Sequence, residues 1–350
     1  MAFLLPGPIT TRAGSSLEYD KGRRIFEDEL IQDSSIDDID HDVLDRYKSL
    51  LGTESSDEQV LKSRRFMRDG KLTVAGALLF AQDPSVMMPQ ARVRVLRYDG
   101  VKMETGKRLN ITKARTFCDP LPKVIQDVHP LISSMLREFQ FLGPDGTFQT
   151  VPEYPEFAWF EGLVNAVTHR DYSFRGDYIR ISMFDDRLEI TSPGKLPNIV
   201  TLDNMRTTRY SRNPRIARTL IEFDWVRELN EGAQRIYGEM QRMLLHDPTF
   251  SEPDGVRVQL TLENNIVART TRRREALEDK LPKGALSKLN EYELAAIRLA
   301  FASGRVTTKE LAEEIDKGST LCSKVLRGLV KKAFSNGMAP LQTTLASIIL

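Results

Sequence analysis

The stretch FEGLVNAVTHRDY (160–172), followed by YIRISMFDDRLEITSPGKLP (178–197), decides the fold of this 350-residue chain. With EFAW (156–159) ahead of it, the first segment sets Phe157, Phe160, Leu163, Val164 and Val167 on one face of a helix. In the second, YIRISMF and RLEIT read as strands that meet at Asp185-Asp186, a tight hairpin, and SPGKLP then turns the chain away. NPRIARTLIEF (213–223) and GAQRIYGEMQRMLL (232–245) read as two further amphipathic helices, and VRVQLTL (256–262) as a closing strand. Helices and mostly antiparallel strands in this order predict an α+β fold, a sheet covered by helices on one face.

On the first helix Glu161, Asn165 and His169 fall in a row, because a turn takes about 3.6 residues. Helix interiors seldom favour Asn or His, so something at this face rewards polarity. A carboxylate followed four residues later by a carboxamide can position a water and a Mg²⁺ beside a nucleotide phosphate, Glu161 as general base and Asn165 as a neutral oxygen ligand. A polar helix end that hydrogen-bonds a neighbouring loop has the same spacing. The HRD at 169–171 is not that of a protein kinase: Gly176 stands where the catalytic-loop Asn is needed, and no GxGxxGxV, VAIK or DFG occurs. A second constellation combines Ser192-Pro193-Gly194, TTRYSRNPR (207–215) and Asn230-Glu231-Gly232. Gly-containing turns ahead of helices can bring backbone N–H groups to a phosphate, with Arg209, Arg212 or Arg215 adding charge.

Outward from this centre, residues 27–45 are acidic and read as a solvated helix face plus caps, and DIDHDVLDRYKSLL puts Ile39, Val43, Leu44, Tyr47 and Leu50 at helical spacing with Asp37 or Asp38 as N-cap. LTVAGALLFA (72–81) predicts a buried helix stopped at Asp83-Pro84, ARVRVLRYDG (91–100) a half-exposed strand, and residues 113–142 helix. GPDGT (143–147) is a turn cluster and an expected domain seam. After Asn264, ARTTRRREALEDKLPKG has no hydrophobic period and reads as a linker. Three helix signals follow: NEYELAAIRLAFASG, TTKELAEEI with a Thr307–Glu310 capping box, and STLCSKVLRGLVKKAF capped by Ser319. They predict a helix-turn-helix whose third helix offers Ser319, Thr320, Ser323, Lys324 and Arg327 to DNA, backed by Arg272, Arg273, Arg274, Lys331 and Lys332. A wing hairpin should come next, but FSNGMAPLQTTLASIIL shows no strand-turn-strand pattern.

Composition narrows the classes. With 41% apolar and 8% aromatic residues the chain can build sizeable cores, which excludes wholesale disorder. No run approaches the roughly 18 apolar residues of a spanning helix, and MAFLLPGPITTR is too short and Pro-broken for a signal peptide, so a soluble cytoplasmic protein without a membrane partner is expected. Cys118 and Cys322 lie far apart and the four histidines are scattered, so neither a disulfide framework nor a thiolate zinc site is suggested. The absence of a GxxxxGK[ST] loop argues against helicase motor chemistry. The net charge of +1 hides a split: residues 264–350 hold 15 basic and 9 acidic side chains, the rest 35 and 40. A basic end on an acidic body suits a segregated nucleic-acid-reading domain.

Taken in order, FEGLVNAVTHRDY, YIRISMFDDRLEITSPGKLP, SRNPRIARTL and NEGAQRIYGEM resemble the RecG-related family of bacterial transcriptional regulators, over roughly residues 21–262. GRRIFEDELI (22–31), the DID stretch and LTVAGALLF resemble the family's connecting region. That family joins a Schlafen AlbA-type module, a domain similar to the gyrase, Hsp90 and histidine-kinase ATPase fold, and a C-terminal winged helix. The resemblance implies an ATPase-like helix-on-sheet sandwich in the centre and a winged helix-turn-helix at the end. Its segments are 1–65 acidic and helical, 66–147 an α/β connecting domain, 148–263 the ATPase-type domain, 264–288 the basic linker and 289–350 the DNA-binding domain. It implies Glu161 as the catalytic glutamate, Asn165 on Mg²⁺, Gly194 and Gly232 as glycines of two phosphate-side motifs, and His169, Arg212 and Asn213 as further cofactor contacts.

Two departures stand out. TSPGKLP puts Thr191 and Ser192 where such ATPases hold adenine with an Asp, and each Gly motif keeps one Gly. Too few residues precede GRRIFEDE for an AlbA-type module. The expectation is a DNA-binding regulator, a homodimer on duplex DNA, with a degenerate ATP- and Mg-binding domain. The alternatives are a Mg-dependent ATPase, and a dimerisation scaffold that uses the apolar helices of residues 113–142.

Overall fold

The computed structural model describes residues 25–142, 148–197, 199–208, 210–225, 232–264, 290–303 and 306–335. The chain divides into two compact units, the first comprising Met1–Met135, Pro155–Met240 and Asp247–Glu263.

The first unit opens with helices α1 (His41–Leu51) and α2 (Asp57–Ser63), the short pair β1 (Met67–Arg68) and β2 (Lys71–Leu72), then α3 (Val74–Phe80) and α4 (Pro84–Met87). Every residue of α3 is buried, as its uninterrupted apolar sequence requires. Gly76 is forced: a Cβ there would overlap the Phe66 carbonyl. Ile39, Val43, Leu44 and Tyr47 are core, but Leu50 is 51% exposed. The cap of α1 differs from expectation. Asp40 accepts from Val43 N at 3.1 Å, while Asp38 closes a capping box with Ser35 around a 3₁₀ turn. The acidic run is also not simply solvated. Glu27 is 1% exposed, and its carboxylate accepts from Arg215 N at 2.7 Å and Ile216 N at 3.1 Å, while Asp28 pairs with the Arg215 guanidinium.

A six-stranded mixed sheet forms the centre. Its strands are β3 (Val93–Tyr98), β4 (Ile111–Phe117), β7 (Ile179–Met183), β8 (Arg187–Pro193), β9 (Thr249–Ser251) and β10 (Arg257–Glu263), in the order β4-β3-β7-β8-β10-β9. Only β3 and β7 run parallel. The β7–β8 turn falls at Asp185-Asp186, where Phe184 N donates to Arg187 O at 2.8 Å. Ile179, Ile181, Met183, Leu188 and Ile190 are buried at alternate positions facing α5 (Leu121–Met135) and α6 (Glu156–His169). Helices α7 (Pro214–Glu222) and α8 (Gly232–Arg242) complete the layer.

Two expectations need correction. Residues 113–142 are helical only over Leu121–Met135, because TKARTF pairs with β3 as edge strand β4 and Glu138–Leu142 is strand β5. The apolar face of α5, with Leu121, Val124, Ile125, Val128 and Ile132 buried, is used inside its own unit and is not available as a dimer interface. Nor does a domain boundary separate residues 66–147 from 148–263: β3 and β4 share the sheet with β7 through β10. The local turn cluster at 143–147 lies outside the described residues.

The second unit comprises Leu136–Tyr154, Gln241–His246 and Asn264–Leu350. It holds the hairpin of β5 and β6 (Phe148–Pro152), paired from Glu138↔Pro152 to Leu142↔Phe148. Buried Glu153 receives the Arg137 backbone N–H at 3.0 Å and pairs with the Arg137 guanidinium. Three helices follow, α9 (Glu291–Ser303), α10 (Thr308–Ile315) and α11 (Ser319–Ser335), around a core of Ala296, Ile297, Val306, Leu311, Cys322, Leu326 and Leu329. The Thr307–Glu310 capping box starts α10, and Asp316 in the left-handed region (φ 50°) ends it. Residues 265–289 and 336–350, where the linker and the wing were sought, lie outside the described residues. No helix among the described residues is long and apolar enough to cross a membrane.

Candidate functional site

The feature that shapes the site is Gly162. A Cβ there would stand 2.6 Å from Leu260 Cδ2 and 2.8 Å from Ile190 Cδ1, so the missing side chain lets α6 lie close over β8 and β10. The helix, these strands, the 195–211 segment, α7 and the start of described α8 enclose a cavity of about 320 Å³. Small-molecule sites run from about 300 to 1,000 Å³, so this one is at the compact end.

Glu161, Asn165, His169, Gly194 and Gly232 all line this cavity. On α6 the first three fall on successive turns of one face, as their spacing dictates. Asn165 Nδ2 donates to Glu161 Oε1 at 3.0 Å. Burial pushes the Glu161 carboxyl above the usual carboxylate range, and Asn165 and the Arg235 guanidinium pull it back in part. His169 lines the cavity and is exposed to solvent there; the protein packed around it, and after it Arg212, lower its pKa below the usual imidazole value. Gly194 has φ 108°, and a Cβ on it would meet Asp171 Cβ and Arg212 at 2.5 Å. It lets the chain turn there while its N–H reaches Val256 O at 2.8 Å.

Arg212 and Asn213 are elsewhere. Asn213 is 2% exposed, and its amide donates to Thr168 O and Arg170 O, both at 2.9 Å, which satisfies carbonyls left over at the C-terminus of α6. Arg212 reaches Asp171 at 3.6 Å and donates to Lys195 O at 2.8 Å. Arg215, also considered for a phosphate, is paired with Asp28, and Arg209 lies outside the described residues. Neither Arg212 nor Asn213 is on the cavity lining.

HRD has a structural job. Arg170 is 1% exposed, lies over Tyr172 at 4.9 Å and donates to Asp171 O, Phe174 O and Asp177 O, so it pins the loop between α6 and β7. Asp171 turns the same loop by accepting from Ser173 N at 3.0 Å.

Val200 and Met205 on the lining escaped the sequence reading, while Lys195, Thr207 and Tyr210 lie inside the quoted SPGKLP and TTRYSRNPR stretches without having been singled out. The crowding of hydroxyl, basic and small residues from Ser192 to Arg215 was their only signal. Asn204 knots this segment by exchanging hydrogen bonds with Thr201 and donating to Ile199 O.

A nucleotide and its Mg²⁺ can be tested against these residues. Ile190, Leu260, Val200, Met205 and Ile221 form apolar walls suited to a planar base. Ser192 brings a hydroxyl and no carboxylate to the lining, and that hydroxyl donates to Ala166 O at 2.9 Å. No group of three or more His, Cys, Asp or Glu able to hold a metal occurs among the described residues. A Mg²⁺ would therefore be carried by phosphate oxygens, with the Asn165 carboxamide oxygen as protein ligand. The lining thus offers apolar walls for a base, with the Asn165 carboxamide, the Glu161 carboxylate and the cations of Lys195 and Arg206 among its polar groups.

The family model described as "Putative ATP-dependent DNA helicase recG C-terminal" matches residues 176–262, so the chain carries an ATPase-like, RecG-related domain there. The matched stretch includes Gly194, Arg212, Asn213 and Gly232 but not α6 with Glu161 and Asn165. No curated protein matches the chain. A crystal structure of the DIP2311 protein from Corynebacterium diphtheriae is similar, with a TM-score of 0.57 at 18% identity over 89% of this chain. The chain spans 62% of that protein's length, and the likeness is one of fold.

Proposed function

We propose that this chain is a DNA-binding transcriptional regulator in which the three C-terminal helices form a helix-turn-helix and the ATPase-like domain takes an adenine nucleotide as its signal. The observation that carries the DNA reading is the face of α11. Thr320, Lys324, Arg327 and Lys331 are exposed along one stripe at helical spacing, with Ser319 exposed at its start and Ser323 half-buried beside it. Hydroxyls and cations at the front of the last helix of a tri-helical core suit base edges and phosphates, and the basic excess of residues 264–350 adds backbone attraction. Duplex DNA is the partner this surface fits, with two copies of the chain on paired half-sites. The test is binding of the full chain to duplex fragments at several salt concentrations. The double variant K324A/R327A should lose affinity and flatten the slope of log K against log salt by roughly 2. Binding that ignores salt would sink the reading.

A second reading, a Mg-dependent ATPase, is favoured by the pairing of Glu161 with Asn165 on the cavity wall. Glu161 would accept a proton from the attacking water, and Asn165 would ligate Mg²⁺. Glu161→Ala should then abolish turnover while nucleotide still binds. No Mg²⁺-dependent thermal shift with any adenine nucleotide would remove both nucleotide readings.

A further inference from the structure

A second cavity, of about 570 Å³, lies within the first unit and shares no lining residue with the one described above. Part of its lining is apolar: Phe26, Leu30, Ile31 and Met87 are half-buried there and Met88 is buried. The two thioethers suit a ligand body of irregular shape. The polar part lies where β3 and β7 begin, since Arg92 and Tyr178 stand one residue ahead of the paired Val93 and Ile179. The Arg92 guanidinium lies over the Tyr178 ring, 4.5 Å from its centroid. Stacking of this kind fixes the guanidinium plane and leaves the N–H groups along its edge to donate to an anion. Arg175 joins it on the lining. Both arginines are exposed, and neither has a carboxylate partner among the described residues. Gly176, with φ 88° and open space beside its Cα, keeps the lining clear between Arg175 and Asp177.

Two carboxylates share this lining, and neither cancels the pair. Asp177 is 7% exposed and engaged by Arg257 at 2.5 Å and Arg180 at 3.4 Å. Glu29 is itself partnered. Two further guanidinium groups reinforce the positive charge at Tyr178: Arg94 donates to its hydroxyl at 3.3 Å, and Arg180 lies 5.7 Å from its ring. We propose that this cavity is a binding site for a small organic anion, a carboxylate or phosphate monoester on a compact apolar body. Arg92 and Arg175 take the anionic group, and the surface of Phe26, Leu30, Met87 and Met88 takes the body. The site goes beyond the nucleotide reading of the first cavity and does not depend on it.

The test is calorimetric titration of the full chain with phenyl phosphate, benzoate, benzyl alcohol and inorganic phosphate, each to about 10 mM. Wild type should bind phenyl phosphate or benzoate at least about tenfold more tightly than either the neutral alcohol or the bare ion, and the tighter of the two anions identifies the head group. Arg92→Gln and Arg175→Gln should each weaken that anion by about tenfold or more, the scale of one lost charge-assisted hydrogen bond. Lys195→Ala, on the other cavity, should bind it as wild type does. Absence of binding by both anions, or equal affinity in wild type and both arginine variants, overturns the proposal. A loss confined to Lys195→Ala overturns it too, because the anion then sits in the first cavity. Should one arginine variant melt early, the other carries the comparison.

Discussion

Replacing Glu27 by glutamine should change how stability depends on pH, by an amount the structure sets. Glu27 is 1% exposed and accepts two backbone N–H groups at the start of α7. Burial raises its pKa from 4.5 to about 7, and the Arg215 and Ile216 amides only partly offset this. The folded pKa lies above the unfolded one, so between these values the folded chain binds more protons and stability falls as pH rises. The contribution is full below about pH 4.5 and is lost by about pH 7. A shift of this size corresponds to roughly 3 kcal/mol. Glutamine keeps one acceptor and cannot ionise. Glu27→Gln should therefore match wild type near pH 4.5 and exceed it by up to about 3 kcal/mol above pH 7. Urea unfolding of both proteins in parallel across this window measures the difference and cancels every other titrating group. Two curves that stay parallel throughout would refute the account of Glu27 as a charged cap held in a dry site.

Asn213→Ala removes both donors from the end of α6, and should lower stability by about 1–3 kcal/mol without adding or removing any cavity contact, which a thermal melt with and without nucleotide would separate. Gly162→Ala should be destabilising by about 1–2 kcal/mol, because overpacking against Leu260 and Ile190 outweighs a helix-propensity gain of about 1 kcal/mol. If Gly162→Ala melts higher than wild type, α6 does not lie as close to the sheet as described.

What could be read from the sequence was whatever is local. The hairpin at Asp185-Asp186, the capping box at Thr307 and the row of Glu161, Asn165 and His169 each depend on a few neighbouring residues, and the structure has them. What could not be read depends on partners far along the chain. TKARTF carries helical spacing as well as strand alternation, and only its pairing with β3 decides between them. Arg212 and Asn213 stand in a motif that suggested a cofactor contact, yet they serve Asp171, the Lys195 carbonyl and the end of α6. The acidic Glu27 and Asp28 read as solvated charge because nothing nearby announces that Arg215 and Ile216 will be waiting for them.

The cap that Glu27 places on α7 spans 188 residues to Arg215. During synthesis at about 5–20 residues per second, Glu27 would precede its partner by roughly ten to forty seconds. In that interval its carboxylate is solvated, and α7 does not exist. The parallel pairing of β3 with β7 imposes a similar wait, since Val93 has to find Ile179. Contacts of such long sequence separation slow folding, because chain entropy is lost before they form. Among the residues described, the earliest to be made thus take their places late, and their docking marks the completion of the fold around the cavity.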